Sequence, residues 1–198
     1  MTPDHVTGAT TAADLVEAPA ETMWQAIEIV PYGAVLHVPA DWEAMPPVPA
    51  NGPEILRATG GPGLNLIVFK IPARGMTADQ VADEAQTKLA AHGYDGFTRR
   101  SAPFAGHEGV ALDFEVRTGT GALLQQTREY FAVRGHAGYV LGMGSRDWDT
   151  QVSLIEEIAR RFELVGGPPA AENRAGKDPA QTGRAETGRA ETGGTAGN

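Results

Sequence analysis

Two short segments of the sequence carry the residue types that acid–base or metal chemistry needs. His107-Glu108 places an imidazole beside a carboxylate, and Asp147-Trp148-Asp149 places two carboxylates close together. A histidine beside a carboxylate suits proton transfer or metal binding. Paired carboxylates suit a divalent cation or general acid–base catalysis. These residues support one hypothesis, a small-molecule or metal binder or a small enzyme with a pocket near either segment.

Both segments also have a structural interpretation. His107-Glu108 lies between glycines, which is typical of a surface turn. Asp147 or Asp149 stands at the start of a predicted helix, where a carboxylate caps free backbone N–H groups. There is no cysteine, so thiolate catalysis and cysteine-ligated metals are excluded, and no serine lies in a Gly-x-Ser-x-Gly elbow. We therefore predict no enzyme activity, no catalytic residue, no metal and no cofactor.

Charge and hydropathy narrow the class of protein. The 198 residues have a formal net charge of −9, and no basic stripe is visible, so we do not expect nucleic-acid binding. No apolar run approaches the roughly 18 residues that span a bilayer, and the N-terminal stretch has no apolar signal region. We expect a cytoplasmic protein.

The two ends of the chain differ from its middle. Residues 1–22 are small and polar, and residues 166–198 contain the repeats Thr182–Glu186 and Thr187–Glu191. Segments with almost no large apolar side chains cannot offset the entropy that ordering costs, which predicts disorder at both ends. Residues 23–165 are predicted to form the single folded domain.

The elements within this domain follow one another as strands, a helix, more strands and a closing helix. Residues 64–71 are apolar on both faces, which favours a central strand. Thr77 and Gln80 fit a capping box, and Gly93 fits the left-handed cap at the end of that helix. A long hairpin, residues 122–146, leads to a helix that ends at Phe162. The fold class predicted is α+β, a largely antiparallel sheet of about six to seven strands sandwiched by two main helices.

Two surfaces are candidates for binding a partner. Trp42 and Met45 bring large apolar side chains into a proline-rich loop, although for Trp42 the favoured interpretation is that it plugs the end of the core. The second candidate is one face of the hairpin, which is more polar than a fully buried strand allows and carries Gln126, Arg128, Tyr130 and Arg134.

The order of several weak motifs is similar to that of a known superfamily. The motifs are the strand 32–38 running into Pro39-Ala40-Asp41-Trp42, the helix near Thr77, Gly106-His107-Glu108-Gly109, Tyr130-Phe131 followed by Gly138-Tyr139-Val140-Leu141, and Arg161-Phe162-Glu163-Leu164. In this order they resemble the PsbP-like superfamily, which includes DcrB proteins, LpqN-type lipoproteins and EagR-type chaperones of secreted toxins. The resemblance covers about residues 24–165.

This resemblance implies an antiparallel sheet between helices, no catalytic residues, and a role as adaptor, assembly factor or chaperone. LpqN-type members carry a signal and a lipidated cysteine, neither of which is seen here, so the soluble, cytoplasmic branch is favoured. The expected partner is a protein, either a secreted effector or a membrane-associated protein. Homodimerisation is left open.

Overall fold

The computed structural model describes residues 22–48 and 52–166. Its strands are β1 (Trp24–Ile29), β2 (Ala34–Pro39), β3 (Glu43–Met45), β4 (Glu54–Thr59), β5 (Leu64–Pro72), β6 (Asp95–Ser101), β7 (Gly109–Arg117), β8 (Leu123–Arg134), β9 (Ala137–Ser145) and β10 (Glu163–Leu164). Its helices are α1 (Ala78–Ala91) and α2 (Trp148–Arg160), and a 3-10 turn, Val30–Tyr32, joins β1 to β2. The terminal segments predicted to be disordered lie outside the described residues, except for Thr22 and Gly166.

The strands form two antiparallel sheets. The larger sheet has seven strands in the order β3-β4-β5-β9-β8-β7-β6, and the smaller has three in the order β1-β2-β10. The α+β class and the antiparallel sheet are therefore confirmed. Neither helix has the length and apolar character that a membrane-spanning helix needs.

The two faces of the larger sheet bury separate apolar clusters. On one face, which we call the α1 face, helix α1 packs on β6, β7 and β8 and buries Val81, Ala82, Val110, Leu112, Phe114, Phe131 and Val140. On the other, the α2 face, the larger cluster joins α2 and the small sheet to the centre of the large one and includes Leu36, Val38, Leu66, Leu141, Ile155 and Phe162. The result is a three-layer arrangement.

The central strands behave as the sequence predicts. β9 lies between β8 and β5, so the hairpin and the apolar strand 64–72 form the middle of the sheet. On β5, Leu66 and Val68 are fully buried on the α2 face. Phe69 and Ile71 pack against the cluster on the α1 face. The C-terminal half of β5 is therefore covered on both faces, which agrees with its apolar residues on both faces.

Helix α1 has the predicted ends. The Thr77 hydroxyl accepts the Gln80 N–H at 3.3 Å, and the Gln80 side-chain oxygen accepts the Thr77 N–H at 2.9 Å. Gly93 follows the helix with φ of +85°, a conformation that glycine adopts without a steric cost.

The predicted carboxylate cap of α2 is wrong for Asp147, whereas Asp149 does lie in the first turn, where a negative charge interacts favourably with the helix dipole. Asp147 occupies the position before the helix, but its side chain accepts no hydrogen bond from the first turn. Its ψ angle is 70°, whereas Thr77 has the extended value of 167° that points a side chain over the first turn. The Ser145 hydroxyl instead accepts the Asp147 N–H at 3.0 Å and fixes the approach to the helix.

Gly109, at the start of β7, provides a test of this packing. A Cβ there would lie 2.6 Å from the Phe131 carbonyl oxygen and 2.8 Å from that of Ala102. Because both contacts are to backbone, Gly109→Ala should lower the free energy of unfolding by about 1–3 kcal/mol. Gly119→Ala is the matched control, since no atom lies within 4 Å of a Cβ at that position. Urea titration measures both, and equal midpoints for the two variants would contradict the packing described here.

Candidate binding site

One row of residues crosses the α1 face where helix α1 does not cover it. The pairing register places Met45 opposite Arg57, Arg57 opposite Ile67, Ile67 opposite Gly142 and Gly142 opposite Glu129. Residues paired in this way point to the same face of a sheet. These five residues, from β3, β4, β5, β9 and β8, are called the open row below.

The open row is accessible because α1 lies over the other half of this face. All five residues are partly exposed, whereas Leu112, the next residue in the same register beyond Glu129, is fully buried. Leu112 belongs to the cluster that contains Val81 and Ala82 of α1. The helix therefore covers one end of the register row and leaves the other end to solvent.

Glu129 is the chemically unusual member of the open row. Within residues 22–48 and 52–166, no group donates a hydrogen bond to its carboxylate or forms an ion pair with it. Burial of the carboxyl group disfavours its charged form and raises the pKa of Glu129 from 4.5 to about 7. The carboxylate is thus held in a place where ionisation is penalised.

The two cations of the same register row are already engaged. Arg57 donates two hydrogen bonds of 2.9 Å to the carboxylate of Glu54. Arg99, at the α1 end of the row, donates to Asp79 at 2.8 Å and also pairs with Asp83. Hydrogen bonding to Glu54 raises the pKa of Arg57 above its ordinary value, so its charge is retained. Neither guanidinium is available to Glu129.

The polar hairpin face predicted as a binding surface is largely covered. Arg128 has a side chain only 8% exposed and donates to Asp113 at 2.7 Å and to Glu156 of α2 at 2.8 Å. Its guanidinium lies 5.2 Å from the centre of the Trp148 ring. The hydrogen bonds to Asp113 raise the pKa of Arg128 further above its ordinary value. These polar groups hold α2 on the sheet.

Tyr130 is buried beside the same network, and its ring lies 5.8 Å from that of Phe104. Arg128 and Tyr130 are therefore corrected from surface residues to residues of the α2 interface. Gln126 and Arg134 are partly exposed. They are eight positions apart on β8, roughly 27 Å at the usual rise, so the covered segment lies between them. The four residues do not form one continuous surface.

Trp42 and Met45 are separated by the fold. Trp42 is 6% exposed and belongs to the larger core, which confirms its interpretation as a plug. Gly60 lies directly on its indole, because a Cβ at that glycine would come within 2.4 Å of the ring. Met45 points to the α1 face, in the open row. Of the predicted pair, Met45 is the one that solvent reaches.

A pocket of about 470 Å³ lies beside Trp42 at the start of α2. Its walls include Asp41, Gly63, Arg146 and Asp147. Asp149 does not line it, so the two carboxylates predicted as a pair do not face the same cavity.

His107-Glu108 occupies a tight turn, as one interpretation of the sequence predicts. Backbone hydrogen bonds of 3.1 Å and 3.0 Å connect Phe104 and His107, and Glu108 is exposed. Across the described ranges 22–48 and 52–166, no three histidine, aspartate or glutamate side chains are grouped as metal ligands would be.

Comparison with known proteins establishes the fold. No protein-family model matches the sequence, and no curated protein matches it. The chain is similar to cyanobacterial PsbP (CyanoP) from Synechocystis sp. PCC 6803, with 15% identity over 77% of this chain and 99% of that one, at a TM-score of 0.59. It is also similar to the Ran-binding protein Mog1p of Saccharomyces cerevisiae, with 10% identity over 73% of this chain and 96% of that one, at a TM-score of 0.52.

LpqN of Mycobacterium tuberculosis, described as involved in cell envelope biogenesis, has 16% identity over 74% and 92% of the two chains, at a TM-score of 0.45. The likeness to cyanobacterial PsbP extends over nearly all of that protein. The chain therefore has the PsbP-like fold that the order of its motifs indicates.

The raised pKa of Glu129 gives a testable pH dependence. The penalty on its ionisation is absent below the ordinary pKa of 4.5 and complete above about 7, so the wild type loses stability as pH rises through this window. Glutamine cannot ionise, and Arg57 and Arg99 remain held by their own acids. We expect Glu129→Gln to melt at a higher temperature than the wild type near pH 8, with the difference disappearing near pH 4.

Differential scanning calorimetry at both pH values measures this difference. Glu28→Gln, an exposed substitution on β1, should follow the wild-type curve. A difference between Glu129→Gln and the wild type that is the same at both pH values would show that ionisation is not its cause.

Proposed function

We propose that this chain is a non-enzymatic protein-binding module, a cytoplasmic adaptor or secretion-associated chaperone that holds its partner on the open row. The observation that carries the proposal is a rigid, partly apolar strip of sheet left uncovered by α1. A secreted effector or membrane-associated protein is the expected class of partner.

The chemistry of the open row suits a protein interface. Met45 and Ile67 supply apolar surface, and methionine and arginine are enriched at the centres of interfaces. The strip is fixed by antiparallel pairing on both sides of β5 and β9, so little backbone order needs to be gained on binding. Such preorganisation lowers the entropic cost of binding a partner.

The fold is compatible with this role. Mog1p, which shares it, is named as a Ran-binding protein. That name describes Mog1p alone, and for the present chain it supports only the general class of function, the binding of another protein.

Substitution on the open row tests the proposal. The double variant Met45→Ser, Ile67→Thr removes apolar surface from partly exposed strand positions, so the fold should survive while partner affinity falls at least about tenfold. Val30→Thr is the matched control, because Val30 is 75% exposed on the 3-10 turn and lies outside the open row.

The measurement is affinity capture from the native cell with quantitative mass spectrometry, using the wild type and both variants. The same partner should be enriched by the wild type and by Val30→Thr, and lost with the double variant. Absence of any partner enriched by the wild type, or equal capture by the double variant, would contradict the proposal.

The pocket beside Trp42 favours a second candidate, the binding of a small molecule. Its volume of about 470 Å³ is within the range of ligand sites, and Arg146 and Asp147 supply both signs of charge. A thermal-shift screen with amino acids, sugars and nucleotides tests it. A true ligand should raise the melting temperature of the wild type and of Asp149→Ala, but not of Asp147→Ala, since Asp147 lines the cavity and Asp149 does not. If no compound does so, this alternative is discarded.

A further inference from the structure

A gap in the open row lies next to the unpaired carboxylate. Gly142 stands between Ile67 and Glu129 in the register, and it contributes no side chain to the face. A Cβ built on Gly142 would lie 3.5 Å from Cγ of Glu129, 3.7 Å from its Oε1 and 3.9 Å from the Ile67 carbonyl oxygen. The gap therefore has a glycine floor, the Ile67 backbone on one side and the side chain of Glu129 on the other.

No cation of the described chain reaches this carboxylate from its own row. At the usual spacing of strands, Arg99 is roughly 10 Å away across two strands and Arg57 roughly 14 Å away across three. Both are held by nearer acids, Arg99 by Asp79 and Asp83, and Arg57 by Glu54. The position of the carboxylate, rather than a lack of arginine, leaves Glu129 without an ion-pair partner among residues 22–48 and 52–166.

The shape of the gap matches a long side chain with a cationic end. Lysine and arginine bury their aliphatic stems on apolar surface and extend the charged group to a polar partner. Ile67 and the Gly142 backbone offer the surface for such a stem, and Glu129 offers the acceptor. A carboxylate that is partly withdrawn from water forms a stronger charge-assisted hydrogen bond than an exposed one. The net charge of −9 also favours the approach of a basic segment.

We propose that Glu129 and the gap over Gly142 bind a lysine or arginine side chain of the protein partner. The proposal rests on the proposed function and names the feature of the partner that the open row recognises: a basic residue flanked by apolar ones, which contact Ile67 and Met45.

A random dodecapeptide library displayed on phage provides a direct test, with the full chain immobilised. Selection on the wild type should enrich peptides that share a lysine or arginine at one position beside apolar residues. Selection on Glu129→Gln should lose that basic position, and binding of the wild-type consensus peptide should weaken at least about tenfold. Glu28→Gln is the control, because it makes the same change of charge on an exposed part of β1.

A second variant keeps the test decisive if Glu129→Gln disturbs the sheet. Gly142→Ala places a methyl group at ordinary contact distances from its neighbours, so its melting temperature should stay close to that of the wild type while the gap is filled. The consensus peptide should bind this variant more weakly as well.

The outcomes separate the two proposals. If no peptide is enriched on the wild type, both the proposed function and this inference are overturned. If peptides are enriched but carry no fixed basic residue, or bind Glu129→Gln as well as the wild type, the inference alone is overturned. A basic position that depends on Glu129 and Gly142, and not on Glu28, supports it.

Discussion

The large sheet is wider than one helix can cover, and this determines which of its residues are buried and which are exposed. Seven strands at the usual spacing extend over roughly 29 Å, whereas a helix with its side chains is about 10 Å across and covers two or three strands. The α2 face is covered because both helix α2 and the three-stranded sheet pack against it. The α1 face has one helix in the described chain, and that helix lies over β6, β7 and β8. Within the described residues, the part of this face that holds the open row therefore stays partly exposed for a geometric reason.

Two consecutive residues of β8, Arg128 and Glu129, show how the cover on each face determines the partners of a charged side chain. Arg128 and Glu129 point to opposite faces of β8. Arg128 meets Asp113, Glu156 and the Trp148 ring, because α2 lies over it. Glu129 lies beside Gly142 on the other face, at a position of β8 that α1 leaves partly exposed. Within the described residues, β8 thus uses one charge to hold a helix in place and presents the other without an ion-pair partner.

Much of the fold could be predicted from local pattern, since alternation, turn glycines and a capping box are short-range signals. The central position of β5 followed from its two apolar faces, and the hairpin from Gly135-His136. Prediction failed where a distant element decides the environment. The polar hairpin face looked exposed because nothing near Arg128 in sequence shows that Glu156 and Trp148 will cover it. The cap at Asp147 failed because backbone geometry, rather than residue type, determines whether a side chain reaches the first turn.

One part of the open row could have been found in the sequence. Glu129 lies on the same face of β8 as Phe131 and Val133, and the strand that pairs with β8 contains Gly142 and Gly144. The full composition of the row depends on pairings between distant segments. Strands β6 to β9 form a continuous meander in which each strand pairs with the next, whereas β5 pairs with β9, from which three other strands separate it in sequence. Met45, Arg57 and Ile67 come from the segment before that junction, and Gly142 and Glu129 from the meander. Pairing of distant segments costs more chain entropy than pairing of neighbouring ones, and the two parts of the row meet only when β5 has paired with β9. A partner that needs both parts would therefore distinguish the finished domain from a half-assembled one.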